Sequence, residues 1–228
     1  MATRPVVYIV CSDQHRNGKT LLARALVDYL MLDGHDPFVI DADYPHGPLR
    51  NFFPGRTLVV DLETIRGQMA LFDTILAAPG RDYVIDLPAT QTTRFCTAAA
   101  DLGFFTEARR AGFAMVILFI VDKTTDSLAS AANVEKMAKL DLLVPVRNAF
   151  VGSALPARYD GLTITMPALD PECLTLVASK RFSIREFLLG EESTVPEPLR
   201  RKLKSFLYTV MTSFNGIAPT LSQAILKA

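Results

Sequence analysis

Residues 6–26 read VVYIVCSDQHRNGKTLLARAL and contain the most informative pattern in the chain. Its first residues are β-branched or otherwise apolar, which predicts a buried strand over residues 5–11. The following residues, SDQHRNGKT, are polar, and the stretch then continues with apolar residues at helical spacing. A strand, a polar loop and a helix in this order form the setting in which a Gly-Lys-Thr triplet predicts a phosphate site.

The triplet Gly18-Lys19-Thr20 has the chemistry that a phosphate loop needs. Backbone N–H groups of such a loop, together with the N-terminus of the next helix, attract anionic oxygens. Lys19 is expected to reach the β- and γ-phosphates, and the Thr20 hydroxyl is expected to coordinate Mg²⁺. The pattern GxxxxGK[ST] is met in part, because Asp13 occupies its first glycine position. The alternative is a polar turn in which Lys19 is merely solvated.

The rest of the chain alternates apolar runs with segments of helical period. This alternation predicts a three-layer α/β fold with a doubly wound, mostly parallel sheet of the P-loop NTPase type. We expect residues 1–190 to form the nucleotide-binding domain and residues 191–228 to form a C-terminal helical extension packed on it. Strands are predicted at 5–11, 37–43, 56–62, 82–88, 114–122 (the sheet centre), 141–150 and 161–167. Helices are predicted after residue 20, over 63–78, 94–111 and 127–138, and from about Pro198.

The composition of the chain argues against an obvious nucleic-acid binder and against a membrane-spanning protein. The chain has 228 residues, half of them hydrophobic, and its formal charges sum to zero. These values describe a globular protein with a core, and a neutral chain is not an obvious nucleic-acid binder. No apolar run reaches about 18 residues, so a membrane span is not expected. Cys11, Cys96 and Cys173 lack metal-ligand spacing, which is typical of free thiols in a cytoplasmic protein.

Acidic residues follow two of the predicted strands at their carboxyl ends. VIDAD places Asp41 and Asp43 after one strand, and VIDLP places Asp86 after another. Ligands of doubly wound folds lie at this edge of the sheet. There a carboxylate can hold the waters of a bound Mg²⁺ or orient the water that attacks the γ-phosphorus. The alternative is that these aspartates serve as turn residues or helix caps.

Three segments together resemble the ParA/MinD-like P-loop ATPases, a group with a deviant phosphate loop of the form KGGxGKT. SDQHRNGKT (12–20) stands where that group has its loop, and DADYPHG (41–47) is similar to its DxDPQG segment. VIDLPAT (84–90) is similar to its second acidic strand. The order and hydrophobicity of residues 5–155 also resemble the group.

The resemblance implies ATP and Mg²⁺ as cofactors and assigns roles to individual residues. Lys19 resembles the phosphate lysine and Thr20 the magnesium hydroxyl. Asp43 resembles the residue that positions the attacking water, and Asp86 the residue that supports Mg²⁺ through water. Asn148, in VRNAF, stands where the group often places an asparagine against adenine, although it could equally be a turn residue. The full expected site comprises Asp43 and Lys19 for catalysis, Thr20, Asp86 and Asp41 for the metal, and Asp13, Gln14, His15, Arg16, Asn17, Gly18, Lys19, Thr20, Leu21 and Asn148 for the nucleotide.

The loop departs from the group at three positions. Gln14 stands in place of the signature lysine, and His15 and Arg16 replace two glycines. In the group that lysine reaches across a nucleotide-sandwich dimer and neutralises charge as the phosphate bond breaks. Gln14 carries no charge, whereas Arg16 can bind phosphate in a bidentate manner and is a candidate substitute. The departures predict nucleotide binding with weak or absent hydrolysis.

Three functional hypotheses follow from these residues. The first is an ATP-dependent switch in the partitioning, positioning or transfer of DNA or another assembly, acting as a homodimer with a protein partner. The second is a nucleotide sensor without hydrolysis, or a scaffold. The third is a small-molecule ligase similar to dethiobiotin synthetase, or a kinase, which would need a second polar pocket beside the γ-phosphate.

The predicted last helix carries two features that bear on partners. Its start holds Arg200, Arg201, Lys202 and Lys204, which form either a surface for non-specific DNA binding or an ordinary solvated face. Residues 205–228 are apolar for a terminus and could dock on the domain, join a dimer interface or bind a membrane surface. A membrane is not expected, because the basic-amphipathic pattern is missing.

Overall fold

A computed structural model describes residues 4–138, 141–152, 155–156, 159, 161–191 and 195–227, and seven strands within them form one parallel sheet. The strand order is β3-β2-β4-β1-β5-β6-β7. This architecture confirms the predicted doubly wound α/β fold, with all described strand pairs parallel. The strands are β1 (Val6–Cys11), β2 (Phe38–Asp41), β3 (Thr57–Val59), β4 (Tyr83–Asp86), β5 (Ala114–Val121), β6 (Leu142–Asn148) and β7 (Ile164–Met166).

Helices cover both faces of the sheet, which explains why the central strands are apolar on both sides. In β1 the alternate residues Val7, Ile9 and Cys11 belong to one core cluster, and Val6, Tyr8 and Val10 belong to the other. The helices are α1 (Lys19–Leu32), α2 (Ile65–Ala77), α3 (Thr92–Asp101), α4 (Phe104–Arg110), α5 (Thr125–Ala138), α6 (Pro171–Ala178), α7 (Ile184–Leu189) and α8 (Glu197–Lys227).

Two expectations about these elements were wrong. The sheet centre is β1, and β5 lies beside it, because hydrophobicity reports burial on both faces and does not report strand order. The single helix predicted over residues 94–111 is divided into α3 and α4. The division occurs at Gly103, whose φ of 69° lies in the left-handed region and ends the first helix.

The helix α8 packs on the domain through an apolar stripe. Leu203, Phe206, Leu207, Val210 and Phe214 are buried at helical spacing in the same core cluster as β7 and α1. The hydroxyl of Ser213 accepts a hydrogen bond from the backbone N–H of Thr165 in β7, at 3.2 Å. The division into residues 1–190 and 191–228 stays a prediction.

Among the residues that the structure describes, no helix is both long and apolar enough to cross a bilayer.

A buried arginine in α1 joins three parts of the chain. The guanidinium of Arg24 donates hydrogen bonds to the carbonyls of Val177 and Phe182, near the end of α6. Its carbon Cζ lies 3.7 Å from the centre of the Phe52 ring, which belongs to the loop that follows β2. Only 3% of Arg24 is exposed. The residue therefore fixes the loop after β2 and the C-terminal helices to the helix that begins at the phosphate loop.

Replacing this arginine is expected to destabilise the fold. Arg24→Ala leaves two buried carbonyls without their donor and removes the packing under Phe52. We expect the free energy of unfolding to fall by about 2–4 kcal/mol in urea titrations. The exposed Arg66 of α2 provides a control, since Arg66→Ala should change this free energy by no more than about 0.5 kcal/mol. Equal effects of the two substitutions would contradict the assigned role of Arg24.

Candidate functional site

The carboxyl end of β1 leads through the polar loop to the N-terminus of α1, where the positive end of the helix dipole lies. Gly18 directly precedes α1 with φ 94°, a left-handed conformation that favours glycine. No described side chain caps this end of the helix, and its first turn contains no acidic residue. The first backbone N–H groups of α1 therefore remain available to an anion at the positive end of the helix dipole.

Lys19 lies over the loop, held by three oxygen atoms. Its Nζ lies 2.6 Å from the carbonyl oxygen of Gln14, 3.2 Å from Oδ1 of Asn17 and 3.3 Å from Oγ of Ser12. Nδ2 of Asn17 also donates to Oγ of Ser12, which is fully buried. Burial lowers the pKa of Lys19, and the charge of Asp86 opposes that shift. The loop thus holds a cation at the position where phosphate oxygens would meet it.

Arg16 occupies a backbone conformation that usually requires glycine. Its φ is 54°, and among the described non-glycine residues it alone has a positive value. His15 and Arg16 are exposed and line the cavity described below, so an imidazole and a guanidinium group lie at the two positions where the similar ATPases have glycine. Asp13 instead lines a separate pocket with Ser130, which donates a hydrogen bond to it, and burial raises its pKa.

A cavity of about 730 Å³ opens between this loop and the loops that follow β2 and β4. It combines the cations of the phosphate loop with two carboxylates from neighbouring strand ends. Its lining comprises His15, Arg16, Asn17, Gly18, Lys19, Thr20, Leu21, Asp43, Asp86, Leu87, Pro88, Ala89 and Thr90.

Thr20 and Asp86 meet directly in this cavity. The Thr20 hydroxyl donates to Oδ2 of Asp86 at 2.7 Å, and Oδ1 of the same carboxylate is buried without a described hydrogen-bond partner. Burial raises the pKa of Asp86 from 3.8 to about 7, while the Thr20 hydrogen bond acts in the opposite direction. A hydroxyl beside a carboxylate with an unused oxygen fits a hard cation such as Mg²⁺. Among the described residues, no group of three His, Cys, Asp or Glu side chains is arranged to hold a metal ion.

The two aspartates after β2 have different environments. Asp43 is exposed and lines the cavity, on a loop that contains a cis peptide bond between Tyr44 and Pro45. Asp41 is fully buried, and its carboxylate accepts the backbone N–H groups of Asp43 at 3.0 Å and Leu49 at 2.9 Å. Asp41 therefore shapes the loop that carries Asp43. Its role as a metal ligand stays a prediction, and it does not line the cavity.

Asn148 lies at the end of β6, on the other side of the phosphate loop. It is 5% exposed, and its Nδ2 donates to the carbonyl oxygen of Asn17 at 2.7 Å. A smaller cavity of about 170 Å³ adjoins it, and this cavity also contacts Arg16, Gly18 and Leu21. The structure thus places Asn148 next to the predicted nucleotide site, in contact with the loop itself.

The structure brings most of the predicted residues together and adds others. Residues 15–21, Asp43 and Asp86 share one cavity, whereas Asp13, Gln14 and Asp41 lie outside its lining and Asn148 lines the smaller cavity. Sequence reasoning missed Ser12, whose buried hydroxyl contacts both Lys19 and Asn17. Its signal was its position as the first polar residue after β1. Residues 87–90 also line the cavity, and sequence reasoning did not predict this role for them.

Comparison with solved structures identifies the fold. MinD from Pyrococcus horikoshii, solved with Mg-ADP, matches 95% of this chain and 98% of its own, at a TM-score of 0.58 and 16% identity. The chain has the fold of MinD. The MinC:MinD complex of Aquifex aeolicus matches 91% of this chain and 96% of its own, at a TM-score of 0.51 and 15% identity. An ADP complex of a nucleotide-binding protein from Archaeoglobus fulgidus matches 89% and 91%, at a TM-score of 0.50 and 16% identity.

No protein-family model and no curated protein sequence matches this chain.

The buried carboxylate is expected to cost stability in the nucleotide-free protein. Because burial raises the pKa of Asp86 to about 7, the folded state binds a proton more tightly than the unfolded state, and stability is lost as pH rises between 3.8 and 7. Asp86→Asn removes this loss and keeps an oxygen that accepts from Thr20. We expect the variant to exceed wild type by about 1–3 kcal/mol in urea unfolding at about pH 8, with a smaller excess at about pH 5.

The exposed carboxylate of Asp73 in α2 serves as the control for this comparison. Asp73→Asn, a substitution at an exposed position, should not reproduce the excess stability expected of Asp86→Asn. An Asp86→Asn variant that is less stable than wild type at about pH 8 would show that the carboxylate supports the empty fold.

Proposed function

We propose that this chain binds ATP with Mg²⁺ in the 730 Å³ cavity and acts as a nucleotide-dependent switch of the ParA/MinD type. One observation carries the proposal: Lys19 lies at the uncapped N-terminus of α1 and faces the same cavity as Asp43 and the Thr20–Asp86 pair. A helix N-terminus with a lysine and an adjoining hydroxyl–carboxylate pair suits a polyphosphate with a divalent cation. The fold shared with MinD, which has been solved with Mg-ADP, supports this proposal.

Each of these residues has a task that its position allows. Lys19 exchanges its loop contacts for phosphate oxygens, and the backbone N–H groups after Gly18 bind the phosphate nearest to the helix. Thr20 and Asp86 supply oxygen atoms on one side of the cavity, at the position for the cation. Bound Mg²⁺ would neutralise part of the phosphate charge. A charged Asp86 is favoured by the cation, which offsets the burial that raises its pKa.

Hydrolysis depends on the exposed carboxylate of Asp43. This carboxylate lines the cavity without an ion pair among the described residues, so it is free to orient a water molecule. The charge that stabilises the departing phosphate would come from Lys19 and Arg16, since the side chain of Gln14 is neutral and does not line the cavity. Arg16 extends from an exposed loop position, where solvent and salt screen its charge. We therefore expect slow turnover in the isolated protein.

A second pocket beside α1 bears on the ligase or kinase hypothesis. It measures about 280 Å³ and adjoins Thr20. Its other lining is mainly apolar, with Phe52, Leu174 and Val177 among the contacts, and the guanidinium of Arg24 already binds backbone carbonyls. Convergent polar groups for a second substrate are not present in this described lining, so the switch is the better supported function.

The proposed partners are a second copy of the chain and another protein, rather than DNA bound through the start of α8. Lys202 lies 2.6 Å from Asp170, and the guanidinium groups of Arg200 and Arg201 lie 3.8 and 3.9 Å from Glu197. These acids offset much of the basic charge. A DNA-binding role of Arg200, Arg201, Lys202 and Lys204 stays a prediction.

Binding of ATP is tested first with the phosphate lysine. Lys19→Ala removes a cation and its charge-assisted hydrogen bonds, so we expect the dissociation constant for ATP with Mg²⁺ to rise about 10- to 100-fold in calorimetry. Lys180→Ala, at an exposed position away from the cavity, is the matched control and should bind as wild type does. Undetectable binding of ATP by the wild type would refute the proposal.

Turnover is tested with the carboxylate after β2. Asp43→Asn keeps the size of the side chain but weakens its ability to accept a proton or orient water, so phosphate release should fall about 10- to 100-fold. Affinity for ATP should change little, because Asp43 is not expected to bind the phosphates directly. Unchanged phosphate release in this variant would remove Asp43 from the mechanism, and binding without release in the wild type would leave a nucleotide sensor.

A further inference from the structure

Both polar atoms of the Asn148 side chain form hydrogen bonds within the protein. Its Nδ2 donates to the carbonyl oxygen of Asn17 at 2.7 Å, and its Oδ1 accepts the backbone N–H of Phe150 at 2.9 Å. A Cβ atom added at Gly18 would lie 3.0 Å from the same Nδ2, so the glycine packs closely against this amide. With 95% of the residue buried, little of the amide is left to face a ligand.

The residue that Asn148 holds is the central member of the loop network. The carbonyl of Asn17 accepts from Asn148, while the Asn17 side chain contacts Ser12 through Nδ2 and Lys19 through Oδ1. The end of β6 is thereby connected to the phosphate lysine through a single intermediate residue. Removing the donor at Asn148 would free the backbone of Asn17 and, with it, the oxygen that orients Lys19.

The adjoining 170 Å³ cavity has the character expected of a site for a flat ring. Its described lining is mainly apolar, with Phe150, Met166, Leu169 and Phe206, and its polar side chains are those of Arg16, Asn17 and Asn148. The two asparagine side chains already form hydrogen bonds within the protein. Such a surface binds a purine mainly by stacking and apolar contact, and it offers little basis for distinguishing the hydrogen-bonding edges of two bases.

We propose that Asn148 is a positioning residue that holds the phosphate loop and does not read the base, so that this chain discriminates weakly between adenine and guanine nucleotides. The proposal rests on the proposed nucleotide binding. It replaces the expected contact of Asn148 with adenine by its observed contact with Asn17. Base recognition is then left to the apolar cavity, and affinity is left mainly to the phosphates.

The first experiment separates phosphate binding from base binding by calorimetry with three probes: ATP, GTP and inorganic tripolyphosphate, each with Mg²⁺. Asn148→Ala should weaken all three by a common factor of about ten, the equivalent of one lost buried hydrogen bond. Phe150→Ala, from the same cavity, is the matched control and should weaken ATP and GTP but not tripolyphosphate. Unchanged binding of tripolyphosphate by Asn148→Ala, or wild-type affinity for ATP far above that for GTP, would overturn the proposal.

The second experiment needs no nucleotide. Amide hydrogen exchange of the nucleotide-free protein should be faster over residues 12–20 in Asn148→Ala by about tenfold, with β1 and β5 unchanged. Unchanged exchange in the loop would overturn the positioning role, and faster exchange throughout the sheet would show a general loss of stability instead. A wild type that binds none of the three probes would refute the proposed function, while the exchange result would still decide the role of Asn148.

Discussion

The pairing of β1 with strands on both of its sides is the constraint on which the rest of the molecule depends. β1 lies between β4 and β5, and both of its faces are buried. The polar loop that follows β1 therefore lies at the carboxyl edge of the sheet, and it connects β1 to α1. β4 and β2 lie on one side of β1, and β5 lies on its other side. The strand order therefore reverses next to β1, and doubly wound folds bind ligands at the carboxyl edge of such a switch point.

The site contains two ionisable side chains, those of Lys19 and Asp86, whose charged forms are disfavoured by burial when no ligand is bound. Lys19 and Asp86 are both largely buried, and burial shifts the pKa of each toward its neutral form. Backbone and hydroxyl groups of the loop satisfy the lysine, and Thr20 satisfies one oxygen of the carboxylate. Such a site gains more from a ligand that carries both negative charge and a cation than from either alone. In the proposed function, the arrangement would exchange stability of the nucleotide-free protein for affinity for the nucleotide.

Much of the fold was predictable because the decisive signals are local. The strand, loop and helix over residues 6–26 follow from periodicity, and the acidic strand ends placed Asp43 and Asp86 at the correct edge of the sheet. Strand order is a property of tertiary packing, so the centre of the sheet was assigned to β5 instead of β1.

The finer contacts of the site depend on atoms far apart in sequence or on backbone direction. Asp41 and Asp43 look equivalent in the sequence, but the chain turns after Asp41 and directs its carboxylate to backbone N–H groups. The hydrogen bond from the Asn148 side chain to the backbone carbonyl of Asn17 joins residues 131 positions apart in the sequence, and no local sequence pattern predicts it. Family resemblance placed Asn148 near the nucleotide, and only the geometry showed that it contacts the loop.

The packing of α8 against β7 also has a consequence for how the molecule behaves at high concentration. β7 is a three-residue strand at one end of the sheet, and the outer edge of such a strand offers unpaired backbone groups to a strand from another molecule. Ser213 accepts the N–H of Thr165 there, and the apolar stripe of α8 covers the neighbouring surface. The helix thus takes up one backbone N–H of this edge, and less of the edge is left to pair with a strand from another molecule.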